Sequence, residues 1–326
     1  MNTTPLLVGS TNARAGFAAA MDRLRHGDSA LDAAEVAVRA VEDNLEDHSV
    51  GIGGLPNLVG EVELDAMIMD GETLVAGAVA ALKGYPNPVS VSRKVMEVLP
   101  HVLLVGEGAA RFAAEMGFEP RELLTEEARK IWADRLSQVP AETGERAYFE
   151  KMAAYARHFA TDPEGAAARY DTNVTGTVNV LACDQQGRLA VATSTSGWAW
   201  KYPGRVGDTP IVGAGGYADS RYGACGCVGR GEMALRAGTA RSLVLYLKMG
   251  LPLWNAAREA IHDLSALQDP FASGLSLVAI DAAGNHVGFS NRTGRDYIFQ
   301  TAQMDVPEKR PRIFVDASGK AQVRPA

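Results

Sequence analysis

The chain has 326 residues, 47% of them hydrophobic and 22% charged, with a formal net charge of -7 and a pI of about 5.5. That much apolar chain builds a core without disulfide or metal staples, and the acidic balance, with no basic tract, argues against a nucleic-acid partner. The three cysteines, Cys183, Cys225 and Cys227, have neither CxxC nor zinc-pair spacing and read as small buried residues in a reducing compartment.

The N-terminal residues 1–16 lack a basic segment followed by a long apolar one, and no run approaches the ~18–20 apolar residues of a membrane span. A cytoplasmic protein with no membrane partner is therefore expected. Residues 5–10 predict a short strand, and Phe17, Met21 and Leu24 give residues 12–26 helical spacing. Ser29 is suited to cap a second helix with Leu31, Val36, Val38 and Val41 on its apolar face. The acidic end of that helix (Glu42, Asp43, Glu46 and Asp47) reads as a solvated surface. Residues 61–82 predict two strands turning at Asp70-Gly71. Residues 87–118 predict two helices around a short strand, with Ser90 capping the first and Glu107 starting the second. His101 stands before that strand with no carboxylate or thiol in local spacing and reads as structural.

Residues 119–176 change character to Glu, Arg, Ala, Gln and Lys. Thr125 caps a helix reaching about Arg135, residues 146–159 read as a further helix, and residues 161–176 read as an exposed linker. A hairpin turning at Gln186-Gly187 and a Gly-rich loop follow. Residues 229–267 predict one long helix, a break at Gly250 and a second helix. Another hairpin turns at Ala283-Gly284, and the tail ends in a short strand. Antiparallel hairpins and separately grouped helices indicate an α+β fold rather than alternating β-α-β units.

Thr177 stands at the head of the hairpin at 178–195, directly after Gly176. Steric preference alone explains a threonine at a strand start. Its glycine neighbour, however, permits a backbone geometry closed to other residues. Cutting that peptide would free an α-amine of pKa near ~8, a suitable base for the adjacent hydroxyl. Arg205 and Asp208 lie in a loop shortly after. At this spacing they form either a surface ion pair or a clamp for a zwitterion, arginine taking an α-carboxylate and aspartate an α-ammonium. GxSxG, HExxH and P-loop patterns are absent from the sequence.

The segments SALDAAE, DHSVGIGGLPNLVGEVELDAMIMDG, TSTSG, GRVGDTPIVGAGGYAD and GRGE together resemble the glycosylasparaginase and type-2 asparaginase family of N-terminal nucleophile hydrolases. The likeness covers most of residues 28–130 and 176–240. It implies a four-layer αββα sandwich formed by one domain over 1–326. That domain would be cut by its own chemistry into 1–176 (an α chain with a linker over about 137–176) and 177–326 (a β chain). It implies a homodimer of αβ units, a small asparagine-derived substrate, and neither cofactor nor metal. By motif, Thr177 is the nucleophile, Thr195 supports its hydroxyl, and Ser49 lies near the new α-amine. Arg205 and Asp208 bind the substrate's α-carboxylate and α-amine, and Gly229 donates its N–H to the oxyanion.

Asp171-Thr172 resembles a glycosylasparaginase junction, but Thr177 precedes Thr195 by the expected 18 residues and leads into the expected strand. Three departures accompany the match. Val228 replaces a threonine whose hydroxyl would complete the oxyanion hole, a loss of ~3–4 kcal/mol of transition-state stabilisation. Thr11 replaces a tryptophan of the substrate pocket, and Asn179 replaces a glycine. The resulting expectation is hydrolysis of the side-chain amide of glycosylated asparagine. One alternative is L-asparaginase or isoaspartyl peptidase activity; another, of a different class, is an unprocessed or weakly active homologue that binds amino acids.

Overall fold

The computed structural model describes residues 3–136, 150, 176–269 and 274–322. The chain begins with β1 (Leu6–Gly9), a 3-10 turn (Thr11–Ala13), α1 (Arg14–Arg25) and α2 (Ala30–Glu42). The β2 (Leu64–Asp70) and β3 (Ala76–Leu82) hairpin follows, then α3 (Pro88–Val98), β4 (Leu103–Val105), α4 (Gly106–Glu115) and α5 (Glu126–Leu136). After Gly176 come β5 (Val178–Cys183), β6 (Leu189–Thr195), β7 (Gly216–Asp219) and β8 (Gly223–Gly229). Three helices, α6 (Gly231–Ala237), α7 (Thr239–Lys248) and α8 (Leu253–His262), precede β9 (Leu275–Asp281) and β10 (His286–Ser290). The chain closes with β11 (Asp296–Thr301), β12 (Glu308–Pro311), β13 (Ile313–Val315) and β14 (Ala321–Gln322).

Local chemistry explains several of these boundaries. Ser29 Oγ accepts the Asp32 amide at 3.1 Å and starts α2, and Thr125 Oγ1 accepts the Ala128 amide at 3.2 Å and starts α5. Pro88 occupies the first turn of α3, whose cap is Asn87; Ser90 lies inside the helix and donates to Glu35 instead. In the β5–β6 hairpin, Asp184 Oδ1 accepts the amides of Gln186 and Arg188. Asp281 does the same for Ala283 and Asn285 between β9 and β10.

Two sheets result. The larger runs β12-β11-β1-β5-β6-β2-β3-β4, and the smaller β14-β13-β10-β9-β8-β7. Side chains alternate along β5 accordingly. Val178, Val180 and Ala182 join a core with α1, α2, α3 and α4, while Leu181 and Cys183 join Val278 and Ile280 of the other sheet. A third core holds Cys225, Cys227, Leu277 and Phe289 against α7 and α8. All three cysteines are free and buried, as their spacing predicts.

Several elements differ from the sequence expectation. Gly238 adopts φ 57 and divides the predicted long helix into α6 and α7. The strand β7 falls at the end of the expected Gly-rich loop, and β8 in a stretch for which no element was expected. Glycine-poor alternation is the usual sign of a strand, and GYADSRYGACGCVG hides it. β11 and β12 were not anticipated either. Glu42 and Asp47 are buried, so only part of the acidic end of α2 is a solvated surface. His101, expected to be structural, is exposed. Apart from residues 150 and 176, the helix expected over 146–159 and the linker after it lie outside the described residues, as do Asp171 and Thr172. Among the described residues, no helix is long and apolar enough to cross a membrane.

Candidate active site

The β5–β6 register pairs Val178 with Ser194, which brings the residue ahead of β5 beside Thr195. Thr177 is only 4% exposed there. Its Oγ1 donates to the carbonyl of Gly176, and Thr195 Oγ1 donates to the same oxygen at 2.8 Å. The Gly197 amide donates to Thr195 Oγ1 at 2.9 Å, which orients that hydroxyl's proton toward Gly176. The expected support of the Thr177 hydroxyl by Thr195 thus takes another form: both hydroxyls converge on the carbonyl of the 176–177 peptide. Ser49 reaches the strand through its backbone, its carbonyl accepting the Ser196 amide at 2.8 Å, while its hydroxyl donates to Asp47 Oδ1.

Asp47 belongs to a chain of polar contacts that the sequence did not reveal. Asn12 Nδ2 donates to Asp47 Oδ2 at 3.0 Å, and Ser10 Oγ donates to Asn12 Oδ1 at 2.7 Å. Ser10 Oγ also accepts the Asn179 amide at 3.1 Å, and Asn179 Nδ2 donates to the Cys227 carbonyl at 3.2 Å. A single network therefore links β8, β5, the N-terminal turn and the Ser49 segment, with every connection made by a short polar side chain. Thr11 sits half-buried inside this turn and contributes no hydrogen bond to the network. The one visible signal was Asn179, a polar residue on an otherwise apolar strand.

Arg205 and Asp208 are not an exposed ion pair. Arg205 directs Nε and Nη2 to Glu232 Oε1 at 3.0 and 2.9 Å. Its partner lies in the GRGE segment on α6, and Arg205 and Arg230 together hold the Glu232 carboxyl below its ordinary range against the effect of burial. Arg230 also stacks over the Trp198 ring, 4.5 Å from its centroid. Asp208 is 4% exposed, and its Oδ2 has no hydrogen-bond partner among the described residues. Burial pushes its carboxyl up to about 7, with Arg205 opposing. An inward-facing carboxylate with one oxygen unpaired among the described residues, near an arginine, suits an ammonium ligand. Thr193 Oγ1 donates to the Thr209 carbonyl at 2.9 Å, tying this loop to the strand that carries Thr195.

Gly229 ends β8 exposed, with φ 125, a conformation that L side chains rarely adopt; a Cβ there would lie 2.4 Å from the Gly274 carbonyl. Val228 beside it is half-buried opposite Ser276 and offers no donor. Among the described residues, no group of three or more His, Cys, Asp or Glu side chains is arranged to hold a metal ion. The assembled groups are hydroxyls, a carbonyl, a carboxylate and a guanidinium, a set fitted to acyl transfer on a small charged substrate.

Residues 9–306 match the asparaginase family. A plant-type L-asparaginase of Thermococcus kodakarensis is 41% identical over 281 residues, 86% of each chain. An isoaspartyl peptidase/L-asparaginase of Homo sapiens is 42% identical over 236 residues, covering 72% of this chain and 68% of the relative. An N(4)-(beta-N-acetylglucosaminyl)-L-asparaginase of Elizabethkingia miricola is 40% identical over 239 residues, covering 73% of this chain and 63% of the relative.

Proposed function

The chain belongs to the type-2 asparaginase family, and from that premise we propose that it is an amidohydrolase acting on L-asparagine or β-aspartyl peptides, activated by its own cleavage between Gly176 and Thr177. The observation that carries this reading is the convergence of Thr177 Oγ1 and Thr195 Oγ1 on the Gly176 carbonyl. Thr177 Oγ1 attacks the carbonyl carbon of Gly176, the peptide becomes an ester, and water releases it. The freed α-amine then takes the proton of Oγ1 as the hydroxyl attacks the substrate's side-chain amide. The amine of the amide leaves, and water hydrolyses the acyl-enzyme to aspartate. Arg205 receives the substrate α-carboxylate, Asp208 its α-ammonium, and Gly229 the oxyanion.

The sequence alone put glycosylated asparagine first. The relatives shift the order, because the plant-type L-asparaginase is matched over 86% of its length and the N-acetylglucosaminyl enzyme over 63%. Three of the core clusters, one on each outer face and one between the sheets, support a four-layer αββα sandwich. A cytoplasmic homodimer of αβ units, each one domain cut into 1–176 and 177–326, completes the reading.

Intact-mass measurement of purified protein should show two chains meeting at 176/177, and Thr177→Ala should leave one. Cleavage at that bond in Thr177→Ala would sink the proposal. Rates on asparagine, a β-aspartyl dipeptide and glycosylated asparagine rank the substrates. A fully processed protein that binds aspartate tightly without turnover supports the binding-protein alternative instead.

A further inference from the structure

Lys201 is a charged side chain in the core, 1% exposed, in the segment between Thr195 and Arg205. Its Nζ donates to the Glu63 carbonyl at 3.1 Å and lies 3.8 Å from Glu63 Oε2. Asp65, fully buried on β2 and paired in register with Thr195, is its strongest countercharge. Asp65 Oδ1 accepts the Ala81 amide at 2.8 Å, and its Oδ2 has no hydrogen-bond partner among the described residues. Burial pushes the Asp65 carboxyl up and the Lys201 ammonium down, and each opposes the shift of the other.

This cluster borders the residues already assigned to the reaction. A Cβ built on Gly197 would lie 2.9 Å from Lys201 Nζ and 3.5 Å from Arg205 Nη1. Gly197 is the residue whose amide orients Thr195 Oγ1. Both Glu63 carboxylate oxygens accept the Gly204 amide, at 3.0 and 3.2 Å, so Glu63 holds the segment at Lys201 and again at Gly204. Asp65 feels the positive charge of Arg205 as well as that of Lys201. A buried ammonium costs desolvation and needs partners; its stem alone would be served by a methionine.

We propose that Lys201 is a positioning residue: its ammonium, held by Glu63 and attracted by the buried charge of Asp65, fixes Gly197 and the loop bearing Arg205 and Asp208 in the geometry that self-cleavage and substrate binding require. Without that charge, Asp65 keeps the attraction of Arg205 and draws it from its place beside Glu232. The inference rests on the proposed function for its kinetic consequences, but its charge arrangement does not.

The test compares wild type with Lys201→Met, Asp65→Asn and the double variant. Two readouts are used: hydrogen exchange across residues 197–208, and the kinetics of self-cleavage and asparagine hydrolysis. Lys201→Met is expected to speed exchange in that loop by about tenfold or more, slow self-cleavage, and raise KM more than it lowers kcat, because one partner of a buried pair is removed. Adding Asp65→Asn removes the orphaned carboxylate and should bring each quantity back to within about threefold of wild type. A packing role for the lysine stem predicts no such rescue. The proposal is overturned if Lys201→Met matches wild type, or if the double variant is no better than Lys201→Met, whether through misfolding or inactivity. Wild type that neither cleaves nor hydrolyses asparagine defeats the proposed function alone, since loop exchange still reads the charge cluster.

Discussion

Thr195→Val removes one hydroxyl while keeping the β-branched shape of a fully paired strand. Two short hydrogen bonds go with it, along with a 3.5 Å contact to the Ser49 carbonyl: the donation to the Gly176 carbonyl at 2.8 Å and the acceptance of the Gly197 amide at 2.9 Å. The first strengthens as negative charge develops on the Gly176 oxygen during attack by Thr177. Thr195 is 2% exposed, so water is poorly placed to replace it. Its loss is expected to slow self-cleavage by about 10²–10³-fold, equivalent to ~2.7–4 kcal/mol. The second loss leaves an amide unsatisfied and lowers stability by roughly 1–3 kcal/mol. The two effects separate experimentally: intact mass against time gives the cleavage rate of freshly purified precursor, and a thermal melt gives the stability. A Thr195→Val precursor that melts lower yet cuts at the wild-type rate would refute the assignment of this hydroxyl to the scissile carbonyl.

Three further outcomes are expected. Burial pushes the Glu42 carboxyl up from 4.5 to about 8, with the Ser194 hydroxyl and the Val89 amide opposing. The folded state thus holds a proton that the unfolded state releases, a contribution fully present below about pH 4.5 and lost as pH rises through about 8. Melting curves across that window should show wild type declining and Glu42→Gln holding steady; parallel curves would contradict the buried-acid account. Asp208, pushed up to about 7, should be protonated in the free enzyme at acid pH, so KM for asparagine should rise as pH falls through about 7. Asp208→Asn should raise KM throughout and flatten that dependence, and a wild-type KM insensitive to pH would exclude Asp208 as the ammonium partner. Val228→Thr places a hydroxyl beside Gly229 at little steric cost and should raise kcat by about tenfold or more. An unchanged kcat would mean that the oxyanion is already fully served.

Much of this architecture is local and was therefore legible in the chain. Apolar alternation over 178–195 and the Asp184 turn define the β5–β6 hairpin, and that hairpin sets Thr177 beside Thr195. Ser29 and Thr125 cap the helices they precede, because a cap is made within four residues. What the linear pattern did not contain is which remote segment covers a given charge. Glu42 and Asp47 sit in an acidic run yet are buried by α3 and by the N-terminal turn. Arg205 pairs with Glu232, 27 residues away, and leaves Asp208 Oδ2 facing inward with no hydrogen-bond partner among the described residues. Lys201 looks like any surface lysine until the fold buries it against Glu63, just ahead of β2, with the charge of Asp65 acting on it. The sequence by itself determined the order of reactive groups along the chain and the elements that carry them, since periodicity, caps and turns act over a few residues. The tertiary structure decided their environments, because desolvation and pairing depend on neighbours that the chain supplies only after it has folded back on itself.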